Sequence, residues 1–305
     1  MTLHPNILGV DIAKDWIDVF DPSTQTSRRI LTADLRAFAR GLGDVLVVFE
    51  ATGGYERPLS EALEARGIAY ARVNPRQARE FARATGCLAK TDKVDARILA
   101  QMGRALELKP SVPPDAARRR LAELVGRRGD IVAAIVAETQ RLAMARDGYV
   151  RSDIGRMLVQ LKASKLAIEK EIAAAIQAAD DLTAQHDCLQ SAPGVGATTA
   201  AVLLARLPEL GSVDRRAIAS LAGLAPHACD SGHRRGRRHV WGGRADVRRA
   251  LYLAAFVASR FNADFKAMRQ RMKDAGKATK VAILAVARKL LTILNAMVRD
   301  KQKYA

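Results

Sequence analysis

Short apolar runs separated by polar turns open this chain. Residues 7–12 read Ile-Leu-Gly-Val-Asp-Ile, too short for a helix and apolar enough for a buried strand that ends near an acid. Similar strand signals fall at 16–20, 26–31, 45–50 and 68–73, and Asp21-Pro22-Ser23 supplies a turn between the second and third. Helical spacing takes over at 34–42, 55–66, 75–84 and 92–106. Three early strands followed by alternating helices and strands predict a mixed sheet covered by helices. The first two strands form a hairpin in this reading, with Asp11 in the middle of the sheet.

That order of elements matches a ribonuclease-H-like α/β domain over residues 1–108. Lys109-Pro110-Ser111-Val112-Pro113-Pro114 then reads as a linker. In 115–182, Leu121, Val125, Val132, Ile135 and Leu142 follow 4–3 spacing, as do Ile154, Leu158, Leu161, Ile168 and Ile172. Polar Arg128, Thr139 and Lys165 interrupt these seams, and Asp147-Gly148-Tyr149 separates them. The pattern predicts a helical hairpin or coiled-coil arm. Such an arm serves as an oligomerisation or RNA-contacting stalk, or as a plain spacer. Residues 183–305 read as mainly helical with polar loops. Within them Pro193-Gly194-Val195-Gly196 precedes an apolar helix, so backbone N–H groups at Gly194 and Gly196 face an anion there. The turn resembles the hairpin of helix-hairpin-helix DNA binders, and it is equally the composition of an ordinary helix start.

Composition adds a partner. Among 305 residues, 50 Lys and Arg face 32 Asp and Glu, a formal charge of +18. Such a surplus calls for a polyanion, with nucleic acid the default. Arg288 and Lys289 interrupt the longest C-terminal apolar run, and no signal peptide is visible, so no membrane partner is expected. Cys87, Cys188 and Cys229 are scattered, which argues against a zinc or redox pair and fits reduced thiols in a cytoplasm.

Four carboxylates carry the candidate chemistry. Asp11 and Glu50 lie at the ends of strand runs, and Asp92 and Asp95 lie three residues apart on one helix face. Gathered at one point they repel unless a cation lies between them. Hard oxygen donors suit Mg²⁺ or Mn²⁺, and such a site suits in-line displacement at phosphorus. Taken singly, each acid also fits a solvated turn residue.

A second constellation fills residues 226–251, where seven Arg stand against two Asp. Arg234, Arg235, Arg237, Arg238, Arg244 and Arg248 are candidate nucleic-acid contacts, because guanidinium forks match phosphate oxygens. Ser231 lies inside this cluster between Asp230 and Gly232. A serine hydroxyl attacks phosphorus only where a neighbour takes its proton or the site holds the developing charge, and Asp230, His233 and the arginines are at hand. Serine before glycine is also an ordinary turn.

The chain resembles the transposases of insertion-sequence family one-ten, DEDD-type DNA recombinases related to the Piv-type invertases. The likeness rests on Gly-Val-Asp11-Ile-Ala-Lys, Glu50-Ala-Thr-Gly-Gly-Tyr-Glu, Val-Asn-Pro-Arg-Gln-Ala-Arg and Lys90-Thr-Asp92-Lys-Val-Asp95-Ala. In the C-terminal part it rests on Pro193-Gly-Val-Gly, Leu221-Ala-Gly-Leu-Ala-Pro, Asp230-Ser231-Gly and Trp241-Gly-Gly-Arg. The resemblance implies a RuvC-like domain holding divalent metal on Asp11, Glu50, Asp92 and Asp95, a coiled-coil middle, and a transposase domain whose serine, here Ser231, attacks DNA. It implies donor and target DNA as substrates, a bridge RNA as guide, and a homo-oligomer, dimer to tetramer, with a site shared between protomers. His227-Ala-Cys229 is less polar than that family's pattern. Three other readings stand beside it. A junction nuclease or unguided invertase uses the acids without the RNA. An actin-like kinase or ATPase would share Gly-Val-Asp11-Ile-Ala-Lys, but the second phosphate loop it requires has no counterpart. A non-enzymatic nucleic-acid binder explains the charge and not the acids.

Overall fold

The computed structural model describes residues 6–87, 92–227, 236 and 238–304, apart from the side chains of 92–94 and 227. It divides into two compact units, Met1–Pro113 and Pro114–Ala305.

The first unit is a mixed α/β sheet, as the alternation of runs predicts. β1 (Ile7–Ile12), β2 (Trp16–Asp21) and β3 (Thr26–Leu31) form an antiparallel meander. β4 (Leu46–Glu50) pairs parallel with β1, and β5 (Ala69–Val73) parallel with β4, giving the order β3-β2-β1-β4-β5 with β1 central. Four helices cover it: α1 (Leu35–Arg40), α2 (Arg57–Glu64), α3 (Pro75–Ala84) and α4 (Asp92–Ala105). Strand alternation sorts the side chains. Leu8, Val10, Ile17, Val19, Val47 and Phe49 pack with Phe38 of α1 and Leu59 and Leu63 of α2. On the other face, Leu46, Val48, Ala71 and Val73 pack with Ala78 of α3 and Leu99 and Met102 of α4, while Phe20 packs with Ala96 and Ala100.

Glycines set how closely α4 lies on the sheet. A Cβ on Gly9 of β1 would stand 1.9 Å from the Ala96 carbonyl oxygen and 2.5 Å from the Ala100 nitrogen. One on Gly103 would meet Val48 and Ile7 at 2.8 and 2.9 Å. Gly103 thus lies over the start of β1 and Ala96 further along it, so α4 runs antiparallel to β1. Its first turn, Asp92–Asp95, points to the end of the sheet where Asp11 and Glu50 lie.

The second unit is helical. α5 (Ala116–Met144) and α6 (Gly148–Gln177) lie along each other as a long hairpin, each opened by an aspartate. Asp115 accepts from the Arg118 N–H at 2.7 Å and Asp147 from the Val150 N–H at 2.9 Å. Then come α7 (Asp180–Gln190), α8 (Ala197–Arg206), α9 (Arg215–Leu221), α10 (Ala245–Phe261), α11 (Ala263–Asp274) and α12 (Thr279–Asp300). The root of the hairpin, Leu121, Val125, Ile172 and Ile176, shares one core with Leu203, Leu251, Val286 and Leu290 of α8, α10 and α12. By length and composition α12 is apolar enough to cross a bilayer, with half of its most apolar window buried inside the unit. Two short strands missing from the sequence reading, β6 (Pro226–His227) and β7 (His239–Val240), pair antiparallel on either side of the arginine-rich segment in sequence.

Candidate active site

The site builds up from register. Asp11 of β1 lies opposite Asp18 of β2, and Asp18 lies opposite Arg29 of β3. On the other flank the β1–β4 register ends at Val10–Phe49, so the next step along both strands brings Asp11 beside Glu50, which pairs in turn with Val73. Neighbouring strands stand about 4.8 Å apart. The row Arg29, Asp18, Asp11, Glu50 therefore crosses four strands. Directly opposed residues share a face, and Gly9 and Phe20, two residues before Asp11 and two after Asp18, meet α4. The row consequently lies on the α4 face, at the end the first turn of α4 reaches. Asp95 stands four residues before Leu99, whose side chain packs beside Val48 of β4, so the Asp95 stripe of α4 runs on the Glu50 side.

Asp18 escapes the sequence reading. It is only 5% exposed, and Arg29 grips both of its oxygens, Nε to Oδ1 at 3.0 Å and Nη2 to Oδ2 at 2.8 Å. The guanidinium also lies over the Trp16 ring, 4.4 Å from its centroid. A bidentate fork of this kind neutralises the buried carboxylate, so the row does not place two uncompensated charges side by side. The sequence holds a signal for it: once 7–12 and 16–21 are a hairpin closed near Ala13–Trp16, counting back across the register lands Asp18 on Asp11.

Asp11, Glu50 and Asp95 are half-buried, and each is engaged within the fold. Asp92 opens α4, and its side chain lies outside the described atoms. Among the described residues no three His, Cys, Asp or Glu side chains stand close enough together to hold a metal ion. The donor chemistry nevertheless fits one, since every candidate ligand is a carboxylate oxygen, the hard donor that Mg²⁺ and Mn²⁺ take.

In the second unit Gly194 has φ of 78°, and a Cβ there would come within 2.3 Å of the Ala254 carbonyl oxygen, so this glycine is needed for the approach to α10. Gly196 is exposed at the N-cap of α8 with nothing within 4 Å of its Cβ position, leaving the α8 amino end open to an anion. Arg244, which reads from sequence as a nucleic-acid contact, is clamped by Glu209 through bonds of 2.5 and 2.6 Å. Arg248 donates to the Gly242 carbonyl at 2.6 Å. Arg248 thus braces the Gly242–Gly243 turn, while Arg244 ties the foot of α10 to Glu209. Arg238 is exposed. Ser231, Arg234, Arg235 and Arg237 lie outside the described residues.

Two family models match: DEDD_Tnp_IS110, described as a transposase, over residues 8–150, and the transposase IS116/IS110/IS902 family over 186–270. The chain is 28% identical over 314 residues to the pilin gene-inverting protein of Moraxella bovis, covering 97% of both chains. The Moraxella lacunata protein of the same name matches to the same extent. The insertion element IS110 uncharacterized 43.6 kDa protein of Streptomyces coelicolor is 32% identical over 203 residues, covering 64% of this chain and 50% of that one.

Proposed function

The chain belongs to the IS110 family of transposases and is a DNA recombinase, and from that premise we propose that it excises and inserts a mobile DNA element through a serine-linked intermediate. The observation that carries this reading is the row Arg29–Asp18–Asp11–Glu50 beneath the first turn of α4. Its strand order, three antiparallel strands followed by two parallel ones, supports a ribonuclease-H-like domain. Asp11, Glu50, Asp92 and Asp95 are the residues that would hold divalent metal. Bound there, Mg²⁺ or Mn²⁺ supplies charge neutralisation at the scissile phosphate. The Asp18–Arg29 pair keeps Asp11 in place from the β2 side. Ser231 attacks the phosphorus, the 3′-oxygen leaves with a proton, and the strand stays joined to the serine. Attack by the 3′-hydroxyl of a new partner reverses the step. One phosphodiester is exchanged for another throughout, so no ATP is consumed. Arg238 and the arginines of the loop hold the phosphate backbone, which fixes position, and base pairing with a bridge RNA selects sequence. The working form is a homo-oligomer, rising from dimer to tetramer on nucleic acid, in the bacterial cytoplasm.

The test is a nicked DNA that traps the intermediate. Wild type forms a protein–DNA adduct that survives denaturation and maps to the peptide carrying Ser231. Ser231→Ala binds DNA equally and forms none. Cleavage that persists in Ser231→Ala, with no adduct, makes water the nucleophile and the protein a metal-dependent nuclease. The near end-to-end similarity to pilin gene-inverting proteins favours a second reading, DNA inversion without an RNA guide. Recovery of one defined RNA with the protein from its native host decides for guidance, and random fragments decide for inversion.

A further inference from the structure

The loop that follows Glu50 is built more firmly than a connection needs to be. Thr52-Gly53-Gly54-Tyr55 turns through two glycines with φ of 70° and 114°, conformations that other residues rarely adopt. Glu56, only 7% exposed, folds back beneath it and accepts from the N–H groups of Thr52 at 3.1 Å and Gly54 at 2.8 Å, with Arg72 3.9 Å from its other oxygen. A buried carboxylate that takes two backbone donors fixes the turn. What the turn holds out is Tyr55, which is 55% exposed in a chain where aromatics make up only 5%.

The neighbouring loop leaves the same edge of the sheet. The Ala51 N–H donates to the Val73 carbonyl at 3.2 Å, tying the exit of β4 to that of β5. One residue on, Asn74 caps α3 by accepting from the Arg76 N–H at 2.9 Å. Arg76 and Arg79 are exposed and lie three residues apart, on one face of that helix. An exposed ring on one loop and a pair of guanidinium groups on the neighbouring one supply the chemistry that holds an unpaired strand, since bases stack on a ring and phosphates meet cations. Duplex DNA keeps its base faces hidden and offers the ring nothing. We propose that the β4–α2 and β5–α3 loops form a single-strand clamp beside the acid row, with Tyr55 stacking on a base and Arg76 and Arg79 on the adjoining phosphates. The clamp would hold the strand open next to the carboxylates, and it rests on the recombinase reading above.

The experiment uses the full chain and a fluorescent oligonucleotide carrying 2-aminopurine, single-stranded and as duplex. Tyr55→Ala is expected to weaken single-strand binding by roughly five- to 150-fold, to abolish the 2-aminopurine quench, and to leave duplex binding unchanged. Tyr55→Phe keeps both, because the ring face does the stacking. Arg76→Gln with Arg79→Gln is expected to lower the single-strand salt slope by about 1.4, at about 0.7 per phosphate. Single-strand binding and quench at wild-type level in Tyr55→Ala overturn the clamp, as does an equal loss on duplex, which would make Tyr55 a support of the fold. Failure of wild type to bind either form, or binding without salt dependence, instead defeats the recombinase reading itself.

Discussion

Substituting Gly9 by alanine strikes the joint between the two halves of the acid site. The new Cβ would lie 1.9 Å from the Ala96 carbonyl oxygen, against an ordinary contact of 3.4 Å or more, so α4 and β1 must part by about 1.5 Å. Both nearest atoms belong to the α4 backbone, so no rotamer change relieves the clash. Forced overpacking of this kind costs about 1–3 kcal/mol and sometimes more, which lowers the melting temperature of a unit this size by at least roughly 4 °C. The functional cost is larger. α4 carries Asp92 and Asp95 while β1 carries Asp11, and a displacement of about 1 Å between reacting groups costs on the order of a hundredfold in rate. Gly9→Ala should therefore remain folded at low temperature, melt earlier, and cleave its DNA about a hundredfold more slowly in excess Mg²⁺. Gly43→Ala is the control, with nothing within 4 Å of its Cβ position, and should match wild type in both assays. A Gly9→Ala protein that melts and cleaves like wild type would refute both the close approach of α4 and its role in assembling the acids.

Three further outcomes are expected. Asp11→Asn or Asp95→Asn should abolish cleavage in Mg²⁺ or Mn²⁺; cleavage that continues in excess chelator defeats the metal reading. Asn295, 4% exposed on α12, accepts from the Gly211 N–H at 2.8 Å and donates to the Val213 carbonyl at 2.9 Å, so Asn295→Leu should cost roughly 2–4 kcal/mol by chemical denaturation. Asp214 caps α9, and the N–H groups of Ala217 and Arg216 hold its carboxyl below the ordinary value of 3.8. A depressed folded value means its contribution is complete above that ordinary value and lost as pH falls through the lower one. The stability gap between wild type and Asp214→Ala should accordingly be constant near neutrality and close below about pH 4 in melts across pH.

β1, β2 and β4 were legible because each is a short, largely apolar run, and alternation then decides which residues face which helix layer. Asp11 and Glu50 stood out for the same reason, as acids ending apolar runs. Asp18 did not, because Ile17 and Val19 on either side make it look like the solvent position of a half-buried strand, and only the Arg29 fork makes its burial tolerable. Arg244 read as a nucleic-acid contact in a basic window, and its pairing with Glu209, 35 residues away in sequence, has no signature in the spacing. In α5 Leu121 and Val125 of the 4–3 seam are buried, but the next buried residue is Ile131, while Val132 of the seam is half-buried. A straight helix of 3.6 residues per turn drifts off a seven-residue repeat. The β6–β7 ladder left no mark, since two residues cannot show an alternation and the pairing spans the arginine-rich segment.

The α5–α6 hairpin is a lever. At 1.5 Å per residue, the hairpin reaches about 36 Å from the level of Leu121 and Ile172, fixed in the second unit's core, to a tip at Ala145–Asp147. A tilt of only about 5° at the root sweeps that tip through about 3 Å. Any body gripping the tip would thus be spaced by helix length and aimed by a few buried side chains around Leu121 and Ile176. Removing seven residues from each helix would keep the faces nearly in phase and bring the grip about 10 Å closer.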